Sequence, residues 1–197
     1  MSHFDARAKD WDKANERVDA TQSIADAIAQ RYSFHKEMEV LDFGVGTGLL
    51  GFDVAPRVKR VYGVDTSKKM LEEVEAKNTP EIFIETILQD IVQTPLQKSF
   101  DALISSMTLH HIEDLQKFFS TIYKNINAGG FIAIADLEKE DGTFHSDNSG
   151  VYHFGFEEEH LVSIVKKCGF KDISFERINT IKKPHRDFGI FLLSATK

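Results

Sequence analysis

The chain is 197 residues long, 42% hydrophobic, and carries a formal net charge of -7. That is enough apolar material for one core and too little chain for two ordinary domains, and the acidic balance offers no general attraction for nucleic acid or an anionic membrane surface. The lone Cys168 excludes an internal disulfide and a thiolate metal cage, and no apolar run approaches the roughly 20 residues of a membrane helix, so a soluble, cytoplasmic single domain is expected.

In chain order, residues 4 to 32 read as helical, with Phe4, Trp11, Val18, Ala25 and Tyr32 recurring every seven positions. Residues 1 to 35 are expected to form a helical cap or a lid over a site. Apolar, β-rich runs then alternate with helical patterns: EVLDFG (39 to 44), RVYGVD (60 to 65), IFIETIL (82 to 88), FDALISS (100 to 106), GGFIAIAD (129 to 136), FKDISFERI and FGIFLLSAT. Such a series predicts an α/β fold, a doubly wound and mostly parallel sheet with helices on both faces. Between the last two runs NTIKKPHRD is too short for a crossover helix, so the final strand is expected to run antiparallel to its neighbour.

The first strand enters a loop, VLDFGVGTGLLG, at residues 40 to 51, the place where an open α/β sheet receives ligands. A dinucleotide fingerprint counted from Gly44 needs its third glycine at position 49, which is Leu49. Asp42 also points a carboxylate at a loop that would have to receive a pyrophosphate, and suits a cationic ligand better. At the end of the second strand Asp65 is placed to accept hydrogen bonds from ribose hydroxyls. Asp90, in LQD, can accept from an exocyclic amine. An adenosine with a cationic, phosphate-free tail satisfies all three acids, and S-adenosylmethionine is such a molecule.

Together VLDFGVGTGLLG, VYGVDTSKKML, LQDI, FDALISSMTLHHI and NAGGFIAIAD resemble the successive motifs of class I S-adenosylmethionine-dependent methyltransferases of the small single-domain kind, from about residue 38 to 136. The resemblance implies a Rossmann-like, seven-stranded sheet with a reversed last strand. It implies a single methyltransferase domain, with residues 36 to 136 as the cofactor core and 137 to 197 as the substrate side and last strands. It assigns Gly44, Gly46 and Gly48 to the methionine part of S-adenosylmethionine, Asp65 to the ribose, Asp90 and Ile91 to the adenine, and Ser106 to the strand end nearest the methyl group. Thr66 and Met70 are implied beside the adenosine. Independently of the resemblance, the spacing of Phe4 and Trp11 gives one aromatic face on a highly charged segment, which is expected to order as a lid over bound cofactor. Glycines alone are explained equally by a tight turn, and Asp65 by a helix cap.

A sulfonium methyl is already activated, so the protein must supply alignment and, for an alcohol or protonated amine, a base. Histidine is the natural candidate at neutral pH. His110 and His111 follow the fourth strand, and His145 and His153 lie in the long segment after the fifth. At least one of the adjacent pair is expected to serve packing or a backbone hydrogen bond, leaving His111, His145 and His153 as the candidate bases. HSD, residues 145 to 147, imitates half of an iron site but lies in a loop with glycine and serine, and no metal is expected. SMTL stands at 106 to 109, where enzymes that methylate DNA adenine or protein glutamine carry N-P-P-Y. The acceptor is therefore expected to be the oxygen or nitrogen of a small molecule. RNA or protein methylation, a non-catalytic cofactor-binding module and a nicotinamide oxidoreductase are the alternatives.

Overall fold

The computed structural model describes Asp5 and residues 7 to 197; Phe4 lies outside the described residues. The strands β1 (Glu39–Phe43), β2 (Arg60–Asp65), β3 (Ile84–Leu88), β4 (Phe100–Ser106), β5 (Ile126–Leu137), β6 (Lys171–Lys183) and β7 (Arg186–Thr196) form one sheet in the order β3-β2-β1-β4-β5-β7-β6. Neighbours from β3 to β5 are parallel, and β7 runs antiparallel to both β5 and β6. The helices are α1 (Asn15–Arg31), α2 (Leu49–Val54), α3 (Lys68–Lys77), α4 (Leu115–Asn125) and α5 (Glu158–Lys167). None of the described helices is long and apolar enough to cross a membrane.

The parallel strands read as unbroken apolar runs because both faces are covered. One face packs Leu41, Leu103 and Ile132 against Phe118, Phe119 and Ile122 of α4 and Leu161 and Val165 of α5. The other packs Val40, Val61 and Ala133 against Ile24 and Ile28 of α1, Leu50 and Val54 of α2, and Leu71 and Val74 of α3. Strand order reverses between β1 and β4, and the crevice opened there at the carboxyl ends is where a ligand is received.

The structure departs from the sequence reading in two segments. The amino-terminal helix is interrupted: a short 3-10 turn spans Ala8–Lys13, and Ala14 is extended at φ -83° and ψ 100° before α1 begins. The sevenfold spacing therefore does not form one face; Val18 is exposed, while α1 buries Ala20, Ile24, Ala25 and Ile28, the spacing of an ordinary helix. Tyr32 stacks on Phe131 with ring centroids 3.8 Å apart. At the other end, residues 179 to 187 belong mostly to the strands, and only Pro184 and His185 make the turn. An antiparallel hairpin at a sheet edge tolerates charged residues, so Lys182, Lys183 and Arg186 do not end it.

Candidate active site

A cavity of about 530 Å³ opens at the carboxyl edge of the sheet. Of the residues singled out in the sequence, Trp11, Asp42, Gly44, Gly46, Asp65, Thr66, Met70, Asp90, Ile91, Ser106, His111 and His145 line it. Gly48 and His153 do not. Sequence reasoning missed Arg17, Met107, Ile181 and Lys183 on its wall, and left His110, which also lines it, out of the candidate bases.

The loop glycines differ in why they are glycine. Gly44 has φ +68°, and a Cβ there would lie 2.3 Å from the side chain of Thr108; Gly48, φ +89°, caps α2 and a Cβ would meet the Phe52 ring at 2.7 Å. Gly46, φ +53°, has nothing within 4 Å of that position. Space beside Gly46 is left by the fold, not filled by it.

Asp65 has two structural partners: one carboxylate oxygen accepts from the Gly46 N–H at 3.0 Å and the other from the Ser67 N–H at 2.8 Å. Burial pushes its pKa up against the pull of these donors. Asp65→Ala is therefore expected to lower the melting temperature as well as weaken cofactor binding, by about 1–3 kcal/mol for each buried donor left unmatched. Thermal melts with and without S-adenosylhomocysteine separate the two effects, and an unchanged ligand-induced shift would remove Asp65 from the binding site. The Ser67 hydroxyl caps α3 by accepting from the Met70 N–H, and Asp90 Oδ1 accepts from the N–H groups of Val92 and Gln93, closing a tight turn beside Ile91.

Asp42 is 2% exposed, and its Oδ2 is buried without a hydrogen-bond partner among the described residues. Burial first, then the Asp65 carboxylate, push its pKa up to about 7 against the opposing Gly51 N–H. Such an atom is costly unless a ligand donor reaches it.

The amino-terminal segment is fastened over this half of the cavity. Asp12 accepts from the Thr47 hydroxyl at 2.6 Å and from Lys77, whose ammonium also donates to the Thr47 carbonyl at 2.8 Å. Asp5 accepts from the Ser67 hydroxyl at 2.7 Å, and the Arg17 guanidinium lies 4.3 Å from the Trp11 ring centroid.

At the opposite end, β4 leaves the sheet through Met107, whose φ of 56° is strained for a side-chain-bearing residue. Residues 138 to 156 are drawn back onto the sheet edge: Glu138 bridges Phe156, and the Glu140 carboxylate accepts from the N–H groups of Gly142, Thr143 and Phe144. That turn delivers His145 to the wall, its Nε2 3.2 Å from His110 Nε2. His111 sits in the same corner, with its ring centroid 6.1 Å from that of His145, and its Nδ1 lies 2.7 Å from the Gly150 carbonyl. His153 is placed differently from the sequence reading: its Nε2 lies 2.8 Å from the Ile112 carbonyl and its ring packs on Phe156, so it fastens the segment.

A family model described as a methyltransferase domain matches residues 41 to 134, the span holding this loop, Asp65, Asp90 and the β4 exit. Residues 41 to 134 thus carry a methyltransferase domain, and the relatives and the fold support a class I S-adenosylmethionine-dependent methyltransferase. The chain is 29% identical over 153 residues to an uncharacterized methyltransferase of Schizosaccharomyces pombe, covering 68% of the chain and 54% of the relative. The chain spans about half the length of that and other curated relatives it matches. Among solved structures, the methyltransferase in complex with the Haloferax volcanii Trm112 methyltransferase activator superposes with a TM-score of 0.80 at 18% identity, covering 100% of this chain and 98% of that one. The DhpI–SAH complex gives 0.78 at 18% identity, over 98% and 92% of the two chains. At such identities the likeness speaks for the fold. Two observations of the site fit S-adenosylmethionine: the partnerless Asp42 Oδ2 wants a donor such as an ammonium, and the space at Gly46 admits a ligand against bare backbone.

Proposed function

We propose that this methyltransferase transfers a methyl group from S-adenosylmethionine to an oxygen or nitrogen of a small molecule, with His145 as the group that takes the acceptor's proton. The observation that carries this reading is the continuity of one cavity from the Gly46 loop, Asp42 and Asp65 to the wall bearing His145 and His111. When bound, the cofactor supplies an activated methyl carbon. The loop glycines, Asp42, Asp65, Thr66, Met70, Asp90, Ile91 and Ser106 would hold it, with Trp11 closing over it. The remainder of the cavity takes an acceptor of modest size, and its role is alignment, worth several kcal/mol. A long polyanion is disfavoured by the net charge of -7.

The test is the mass of any co-purified ligand, followed by a labelled-methyl screen over pools of metabolites. Label carried from S-adenosylmethionine into a small-molecule fraction is expected, with the emission of Trp11, the sole tryptophan, changing on cofactor saturation. Tight cofactor binding with no label transferred to any acceptor would make the chain a binding module instead.

A further inference from the structure

His110 and Asp136 form a pair that the cofactor half of the cavity does not use. Asp136 stands at the carboxyl end of β5 and His110 in the short turn after β4; they are 0% and 1% exposed. The carboxylate is surrounded by donors: the His110 N–H at 3.1 Å, the Leu137 N–H at 2.7 Å, and His110 Nδ1 at 2.7 Å. Burial pushes the pKa of Asp136 up, but the His110 ring and the two N–H groups together outweigh it and hold the acid below its usual range.

These contacts fix proton positions. An ionised carboxylate only accepts, so His110 Nδ1 carries a hydrogen, and in the neutral ring His110 Nε2 is an acceptor. His145 Nε2 lies 3.2 Å from it. Two lone pairs do not face each other at that distance, so the hydrogen of neutral His145 sits on Nε2 and its lone pair on Nδ1. We propose that Asp136 and His110 are positioning residues that hold His145 as the Nε2–H tautomer, with Nδ1 as the proton acceptor, and that they carry the resulting charge. This rests on the reading of His145 given above.

The step balances. The O–H or N–H bond of the acceptor breaks, its hydrogen joins His145 Nδ1, and the electron pair stays on the acceptor atom to form the bond to carbon. The hydrogen on His145 Nε2 passes to His110 Nε2. His145 is again neutral, as the other tautomer, and His110 is an imidazolium against the Asp136 carboxylate. This arrangement answers a difficulty of His145 acting alone. Burial, with His110, His111 and Lys183 around it, lowers its pKa to about 4 against the weak opposing pull of Asp136, too low for a strong isolated base at neutral pH. Passing the charge inward places it beside a carboxylate already held by three N–H donors. A buried hydrogen-bonded pair that merely tied the turn to β5 would have no need of a second imidazole in hydrogen-bonding reach.

The test uses the full chain, labelled with ¹⁵N-histidine and saturated with S-adenosylhomocysteine, followed by nitrogen-detected tautomer assignment from about pH 6 to about pH 8. His145 is expected to be protonated at Nε2 alone throughout, and His110 at Nδ1. His145 protonated at Nδ1, or at both nitrogens, overturns the proposal, and this wild-type measurement needs no variant to fold. In His110→Leu, which removes the acceptor, the single His145 tautomer should become a mixture while S-adenosylhomocysteine still binds; an unmoved tautomer overturns the positioning role. Absence of S-adenosylhomocysteine binding to the wild type would instead bring down the methyltransferase reading itself.

Discussion

Replacing Gly46 with valine is expected to weaken S-adenosylhomocysteine binding by at least about 100-fold, roughly 2.7 kcal/mol, while the chain still folds. The fold itself leaves the position open, since no atom lies within 4 Å of a Cβ built there. The cost to stability is the left-handed backbone, φ +53°, which is of order 1–2 kcal/mol for an L-residue and more when it is β-branched. The N–H that donates to Asp65 is retained in the variant. Gly44→Ala supplies the contrast. Its Cβ would meet Thr108 at 2.3 Å on a backbone of φ +68°, so stability should fall first and binding only as a consequence. Calorimetric titration beside thermal melts distinguishes the two glycines. A Gly46→Val protein that binds like wild type would show that the cofactor does not approach this loop.

The second large effect concerns pH. Asp42 has a folded pKa of about 7 against an ordinary value of 3.8, so between these pH values the folded chain holds a proton that the unfolded chain has released. Its contribution to stability is therefore best below about pH 4 and is lost as pH rises toward 7, by up to about 4 kcal/mol, with no further change above. A cationic ligand group at Oδ2 requires the carboxylate, so binding expels that proton. Affinity for S-adenosylmethionine is expected to rise about tenfold per pH unit up to about pH 7 and then to level. Titration in buffers of different ionisation enthalpy counts the proton directly. Asp42→Asn should bind weakly at every pH and lose the stability slope of the free protein. A wild-type affinity that is flat from about pH 5.5 to about pH 8 would show that Asp42 stays outside the cofactor's charge environment.

What the sequence made legible was whatever a local pattern encodes. Strands covered on both faces show as apolar runs, and the position of the glycine loop after β1 followed from that alternation. The long connection after β5 marked a segment folded back over the sheet edge, and His145 belongs to it. The relation between His110 and Asp136 has no local signature, because 26 positions separate them and only the adjacency of β4 and β5 joins them. His145 and His153 look alike in the sequence, and only the register of Glu138, Lys139 and Glu140 against residues 154 to 156 turns one inward and the other onto the Ile112 carbonyl. Lys183 was hidden by its neighbours: Lys182, Pro184 and His185 suggest a solvated turn, yet the hairpin carries Lys183 to the cavity wall, its ammonium 4.0 Å from the Phe144 ring centroid. The break at Ala14 is equally silent, since alanine favours helix and only tertiary attachment of the preceding turn overrides it.

That attachment has a kinetic consequence. Asp12 is fastened to Thr47 and Lys77, and Asp5 to Ser67, so the segment is joined to the glycine loop and to both ends of α3 by contacts within the protein itself. The fastening therefore does little to select one molecule over another and much to set how long any molecule stays. Lys77 and Asp12 are each 34% exposed, a degree at which dissolved ions screen the attraction. With the cofactor beneath Trp11, as proposed, residence time is expected to be coupled to ionic strength: product should depart faster from a saltier solution even where the contacts that recognise it are unchanged.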